Sequence, residues 1–278
     1  MISKLKILVF LFVVGAADRS LAQTENSDVK LPMISLHRGA NREAPENTLA
    51  AFAYAMELKI NFIELDVRTT SDGKQVIMHD GSLLRTTGKD AKVQDVRWEE
   101  IQKLSAGAWF AKRFANQKVP LFDEVCKLLA TENKRREVPV NLYVDCKAIN
   151  SKEVVTTLKK YGLLESAVFY GSVETLLQIK NNYGNARLMP SYPGEKLLDE
   201  LISKINPYAL DVPPNELNEA TVALIHSKGV KVFSDLLDNY DNEREYAKAI
   251  QLEIDLIQTD DARAVLSVFK KLQSTNKQ

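Results

Sequence analysis

Cysteine is scarce in this chain. The 278 residues include two, Cys126 and Cys146. They can form one disulfide at most, so no disulfide framework replaces a hydrophobic core, and two buried thiols are the simpler expectation. An excess of one charge is also missing. Lys and Arg number 37, Asp and Glu number 37, and without a long basic run nothing marks a nucleic-acid partner. Long apolar runs are absent too: the stretch Ile7–Ala17 falls short of the about 20 residues that cross a bilayer. No Gly-x-Gly-x-x-Gly turn follows an early strand pattern, which counts against a dinucleotide-binding open sheet. No Gly/Ser-rich linker or short-period repeat divides the chain, and no Asn-x-Ser/Thr sequon occurs.

What is present begins with an export signal. "MISKLK" is basic, "ILVFLFVVGAA" is apolar, and "SLAQ" supplies small residues for cleavage after Ala22. Residues 1–22 are therefore expected to be a signal peptide and residues 23–278 the folded domain. The protein would be exported, to the periplasm or outside the cell, with no stable membrane insertion once the signal is removed. An uncleaved anchor is the alternative. No cysteine follows the cleavage region, which counts against a lipoprotein.

From about residue 32, short apolar runs alternate with helical patterns. "MISLH", "FIELDV", "QVIMHD", "VNLYVDCKA", "SAVFYG", "ARLMPSY", "YALDV", "VKVFSD" and "DLIQTD" read as strands. Between most of them lie helical stretches such as "ENTLAAFAYAMELK" and "SKEVVTTLKKYG". Alternation of this kind implies a parallel sheet with right-handed crossovers. About nine candidates and the mature length suit a (β/α)₈ barrel, a TIM barrel; a long polar and aromatic segment, about residues 81–120, follows the third candidate. In "FIELDV", Ile63, Leu65 and Val67 would face helices, while Glu64 and Asp66 point inward near the carboxyl end, where barrel sites lie.

The other strand tips add to these two carboxylates. His37 and Arg38 end the first strand, His79 follows the third, and Asp145 and Lys147 share one face of "VNLYVDCKA". Buried carboxylates need a cation. Glu64, Asp66 and Asp145 would make a hard-cation site suited to Ca²⁺ or Mg²⁺. Arg38 and Lys147 would repel that cation unless an anion lies between them, and a phosphate group satisfies all three. His37 and His79 then suit general acid and base roles. The third histidine, His226, sits late in a helical stretch and is read as a helix C-terminal residue without a catalytic role.

The segments "HRGANREAPENTLAAF", "IELDVRTTSDGKQVIMHD" and "LLRTTGKDAKVQDVRWEEIQKLSAGAWF" closely resemble the glycerophosphodiester phosphodiesterase family. The resemblance runs over nearly the whole mature chain. It implies a TIM barrel with a small insertion subdomain and hydrolysis of a small glycerophosphodiester to glycerol 3-phosphate and an alcohol with one divalent cation, Ca²⁺ or Mg²⁺. Carried over by motif, Glu64 and Asp66 would bind the metal, His37 and His79 would be the acid/base pair, and Arg38 would hold the phosphate. Two positions depart from the family pattern. Asp145 stands where the family usually has Glu, so it is the expected third ligand with Glu46 as fallback. "FSDL" replaces a Trp-Thr-x-Asn strand, leaving Phe233 as the expected apolar wall for substrate. Asp260 in "IQTDDA" is expected to order the barrel mouth, and Trp109 or Phe110 to pack the insertion or line the alcohol side. Two other functions remain: a phospholipase-like relative acting on lipid phosphodiesters, which would want an exposed apolar rim, and a catalytically silent binding protein on the same barrel, which would be expected to lose the very residues present.

Overall fold

The computed structural model describes residues 30–275; the expected signal peptide lies outside the described residues. Among the described residues nine strands form, and eight are parallel. They are β1 (Met33–Leu36), β2 (Phe62–Thr69), β4 (Asn141–Ala148), β5 (Val168–Tyr170), β6 (Arg187–Met189), β7 (Ala209–Asp211), β8 (Lys231–Asp235) and β9 (Leu256–Thr259). Their lateral order is β6-β5-β4-β2-β1-β9-β8-β7. The two outer strands meet at a seam where Tyr208 N–H donates to Leu188 O at 2.8 Å and Asp211 N–H to Pro190 O at 3.1 Å. The ring is thus a nearly closed TIM barrel.

The ninth strand corrects an expectation. β3 (Gln75–Ile77) pairs antiparallel with β2 and lies outside the ring. Its far edge meets the return of the insertion, with Ile77 N–H donating to Pro120 O at 2.9 Å. "QVIMHD" is therefore a finger of β2 rather than a barrel stave.

The helices are α1 (Leu49–Met56), α2 (Leu84–Thr87), α3 (Trp98–Ile101), α4 (Phe122–Asn133), α5 (Ser151–Lys160), α6 (Val173–Asn182), α7 (Glu195–Ile205), α8 (Glu219–Ser227), α9 (Glu243–Gln251) and α10 (Ala262–Thr275). Local chemistry starts several of them: Thr48, Asn150, Ser172, Asn218 and Asn242 each accept a hydrogen bond from a first-turn N–H. Each such cap contributes about 1 kcal/mol. None of the helices in the described residues is long and apolar enough to cross a membrane.

Strand alternation sorts the core into two layers. Ile63, Leu65, Val67, Leu142 and Val144 point outward against helix residues such as Phe52, Phe122 and Leu158. Phe62, Tyr143, Val168, Met189, Ala209, Phe233 and Leu256 fill the interior. Full burial of such side chains contributes about 1.5–3 kcal/mol each. Residues 81–120 form a separate cluster with Val76 of β3, through Leu83, Val93, Ile101 and Val119. Phe114 joins it to the barrel through Ala44 and Ala51, with Phe110 packed alongside and Trp109 45% exposed. Cys126 and Cys146 are both buried and free.

Candidate active site

The site is built at the carboxyl ends of the strands, starting with a sharp turn after β1. Arg38 and Gly39 both adopt positive φ, 54° and 78°. A side chain at Gly39 would meet Ala51 and Phe52 atoms of α1 at 3.0 Å, so only glycine permits this close departure. The turn aims Arg38 N–H at Glu64 Oε2, 2.8 Å away. The segment "PENT" then supports the site residue by residue. Glu46 Oε1 accepts from Arg38 Nη1 at 3.0 Å, Asn47 Nδ2 donates to Asp66 Oδ2 at 2.8 Å, and Thr48 caps α1.

Glu64, Asp66 and Asp145 converge. All are buried, and one carboxylate oxygen from each lies within 4.8 Å of the others. Asp66 and Asp145 are direct neighbours across the β2–β4 pair. Burial, then the charges of Asp66 and Asp145, pushes Glu64 well above the usual carboxylate range. Burial and Asp66 likewise push Asp145 up to about 6, in spite of Lys147. The triad therefore holds more negative charge than its surroundings neutralise. Lys147 Nζ lies 2.6 Å from Asp145 and 3.5 Å from Asp66. Arg38 Nε, 3.6 Å from Asp66 Oδ2, is buried with no hydrogen-bond partner. An oxygen-only, anionic, buried triad fits a hard divalent cation, and the unpartnered Arg38 donor fits an added anion beside it.

Each cleft histidine is held by an aspartate. His37 Nδ1 lies 2.8 Å from Asp260 Oδ1, and Asn41 Nδ2 donates to the same oxygen. Burial would raise Asp260, but hydrogen bonds from His37 and Asn41 outweigh it and hold the carboxyl below its ordinary value. His79 Nδ1 lies 2.7 Å from Asp80 Oδ1. Its backbone is fixed by Arg68, whose Nε and Nη2 donate to His79 O at 2.9 and 2.6 Å. With Nδ1 engaged in both, Nε2 is the nitrogen left for chemistry.

A cleft of about 530 Å³ is lined by His37, Arg38, Glu64, Asp66, His79, Asp145 and Lys147 together. Phe233 is not among its lining. It is fully buried in the barrel interior, 6.4 Å from the ring of Phe62 and 6.2 Å from that of Tyr208, so the expected apolar wall is core packing. Two residues on, Asp235 does reach the cleft. Its Oδ1 has no partner, and burial with the charges of Asp211 and Asp145 pushes it well up. Burial and Asp145 also push Asp211 up to about 7. Sequence reasoning missed Asn47, Asp80, Asp211 and Asp235. The last two were findable: each is the last residue of its strand and lies on the inward face. Glu46 is committed to arginines rather than to the triad. His226 lies outside the cleft, on α8, with Nε2 2.8 Å from Asp255.

The family model described as glycerophosphoryl diester phosphodiesterase matches residues 37–264. The chain belongs to this family. Its members are phosphoric diester hydrolases, and so is this protein. A glycerophosphodiester phosphodiesterase of Caldanaerobacter subterraneus subsp. tengcongensis is 28% identical over 86% of this chain and 98% of the relative. Two solved structures share the fold. One, of a glycerophosphodiester phosphodiesterase from Agrobacterium tumefaciens, has a TM-score of 0.76 at 24% identity, covering 85% of this chain and 100% of the other. The other, a phosphodiesterase of Oleispira antarctica in complex with the product sn-glycerol-3-phosphate, has a TM-score of 0.75 at 22% identity, covering 86% and 97%. The family match starts at His37 and spans every cleft residue named above.

Proposed function

We propose that the protein hydrolyses small glycerophosphodiesters to glycerol 3-phosphate and an alcohol. Glu64, Asp66 and Asp145 would hold one divalent cation, Ca²⁺ or Mg²⁺, and His37 and His79 would be the acid/base pair. The observation that carries this reading is the joining, in one cleft, of an anionic oxygen triad, two cations and two aspartate-held histidines. Bound there, a divalent cation supplies charge neutralisation and polarisation of a phosphoryl oxygen. Arg38 and Lys147 attract and orient the phosphate. One histidine takes a proton through Nε2 from the attacking hydroxyl, whether of water or of the neighbouring glycerol carbon. The other gives its proton to the departing alkoxide; where the glycerol hydroxyl attacks, a cyclic phosphate is left, and water then opens it to glycerol 3-phosphate. Asp260 and Asp80 keep both rings turned the right way.

The comparisons support this reading through the substrate named for the relatives, and the Oleispira complex through its product. A silent binding protein would leave both His–Asp pairs without a task. The test is a panel of choline, ethanolamine, inositol and glycerol diesters with Ca²⁺, Mg²⁺ or EDTA. Glycerol 3-phosphate should appear with metal and stop with EDTA; no release from any diester would refute the reading.

We also propose that residues 1–22 direct export and are removed. N-terminal sequencing of the exported protein should begin at Gln23; an intact Met1 on membrane-extracted material would show an anchor instead.

A further inference from the structure

We propose that Arg85 is a positioning residue that couples His79 to Arg38, setting the proton-transfer group and the phosphate clamp as one unit. The inference rests on the roles proposed above for those two residues. Arg85 lies in α2, the first turn of the insertion, and is not among the residues lining the cleft. Its guanidinium makes four hydrogen bonds to two carboxylates. Nε donates to Asp80 Oδ2 at 2.7 Å and Nη2 to Asp80 Oδ1 at 3.1 Å. Nη1 donates to Glu46 Oε2 at 2.7 Å and Nη2 to Glu46 Oε1 at 2.8 Å. The same Asp80 Oδ1 faces His79 Nδ1, and the same Glu46 Oε1 accepts from Arg38. Five side chains therefore form one chain: His79, Asp80, Arg85, Glu46, Arg38.

A partly exposed arginine usually contributes little through ion pairs, but two-pronged geometry and network membership are the exceptions. Here both hold. The hydrogen bond from Arg85 is also the main reason Asp80 stays far below the usual carboxylate range. Burial would raise Glu46, yet the two guanidiniums outweigh it and keep it lowered. Both bridging carboxylates thus remain charged and fixed. The consequence falls on function. Arg38 sits on a left-handed backbone with a buried Nε that has no hydrogen-bond partner, and Glu46 is the carboxylate that fixes its Nη1. Asp80 is the group that fixes the His79 ring. Among the described residues, Arg85 alone hydrogen-bonds to both carboxylates.

The experiment compares the full mature protein with Arg85→Gln, Arg85→Lys, Asp80→Asn, Glu46→Gln and the Arg85→Gln/Asp80→Asn double variant. It reads kcat and KM with metal on the panel diester cleaved fastest, Tm, and the His79 ring tautomer by ¹⁵N NMR, which is tractable because the chain has three histidines. Asp80→Asn should lower kcat, Glu46→Gln should raise KM, and Arg85→Gln should do both, by up to about 10²-fold in kcat/KM, the scale of a misplaced reacting group. Arg85→Lys should recover only part, since a point charge cannot fork to two carboxylates. The double variant should lose little kcat beyond Asp80→Asn. His79 should carry its neutral proton on Nδ1 in the unmodified protein and show mixed tautomers in Arg85→Gln. Unchanged kcat, KM and tautomer in Arg85→Gln would overturn the proposal, as would a loss that only follows the folded fraction. If the unmodified protein cleaves none of the four panel diesters, the functional reading fails, and the tautomer still decides whether Arg85 positions His79.

Discussion

Asp145 occupies the position where the related pattern usually has Glu, and it meets the triad with a shorter side chain. Burial and Asp66 lift it to about 6, a cost that a bound cation would relieve. Asp145→Ala should weaken metal affinity more than about tenfold, the scale already seen for losing groups that merely orient ligands, with activity partly restored by high metal. Asp145→Asn should be nearly as damaging, because it removes charge with little change in shape. A metal titration giving unchanged affinity for Asp145→Ala would remove it from the ligand set. At this scale the sequence was readable where chemistry and alternation agreed: Glu64, Asp66 and Asp145 all point inward and line the cleft, although β2 and β4 run on beyond them. Phe233 shows what alternation leaves out. It also points inward, but period two gives the face and not the height, and one step lower on the strand is core.

Elements account for the support around these residues. The loop after β1 and α2 are tied by Arg85 to Glu46 and Asp80, both held below their ordinary values. A depressed carboxylate stabilises the fold above its unfolded value and loses that contribution as pH falls through its folded one. Arg85→Gln should therefore lower Tm near neutral pH, and the gap from the unmodified protein should shrink as pH falls below about 4, the ordinary carboxylate range. Thermal melts across pH test this; a constant gap down to pH 2 would deny the network that role. The nature of β3 was legible in hindsight. Five residues separate β2 from β3, too few for the dozen or more that a parallel crossover needs. Gly73, at φ 81°, makes the turn. The aspartate behind His37 was harder to read, because Asp260 and His37 are brought together only when β9 pairs with β1; the one behind His79 is its neighbour in sequence.

The molecule as a whole is a barrel whose eight parallel strands bring distant carboxylates and histidines to one end. Alternating apolar runs were enough to infer that ring, since each stave must meet helices outside and neighbours inside. The seam between β6 and β7 and the packing of residues 81–120 depend on contacts that no local pattern announces. The assembled cleft makes one demand of the chain: both histidines and the acidic triad must act on a single phosphodiester. The direct measurement is glycerol 3-phosphate release from the panel diester cleaved fastest, by the purified protein and its His37→Ala and His79→Ala variants, each with Ca²⁺, Mg²⁺ or EDTA. The unmodified protein should be active only with metal, and each histidine variant should lose on the order of 10²–10⁴ in rate. Full activity in either variant, or undiminished activity in EDTA, would contradict the proposed chemistry.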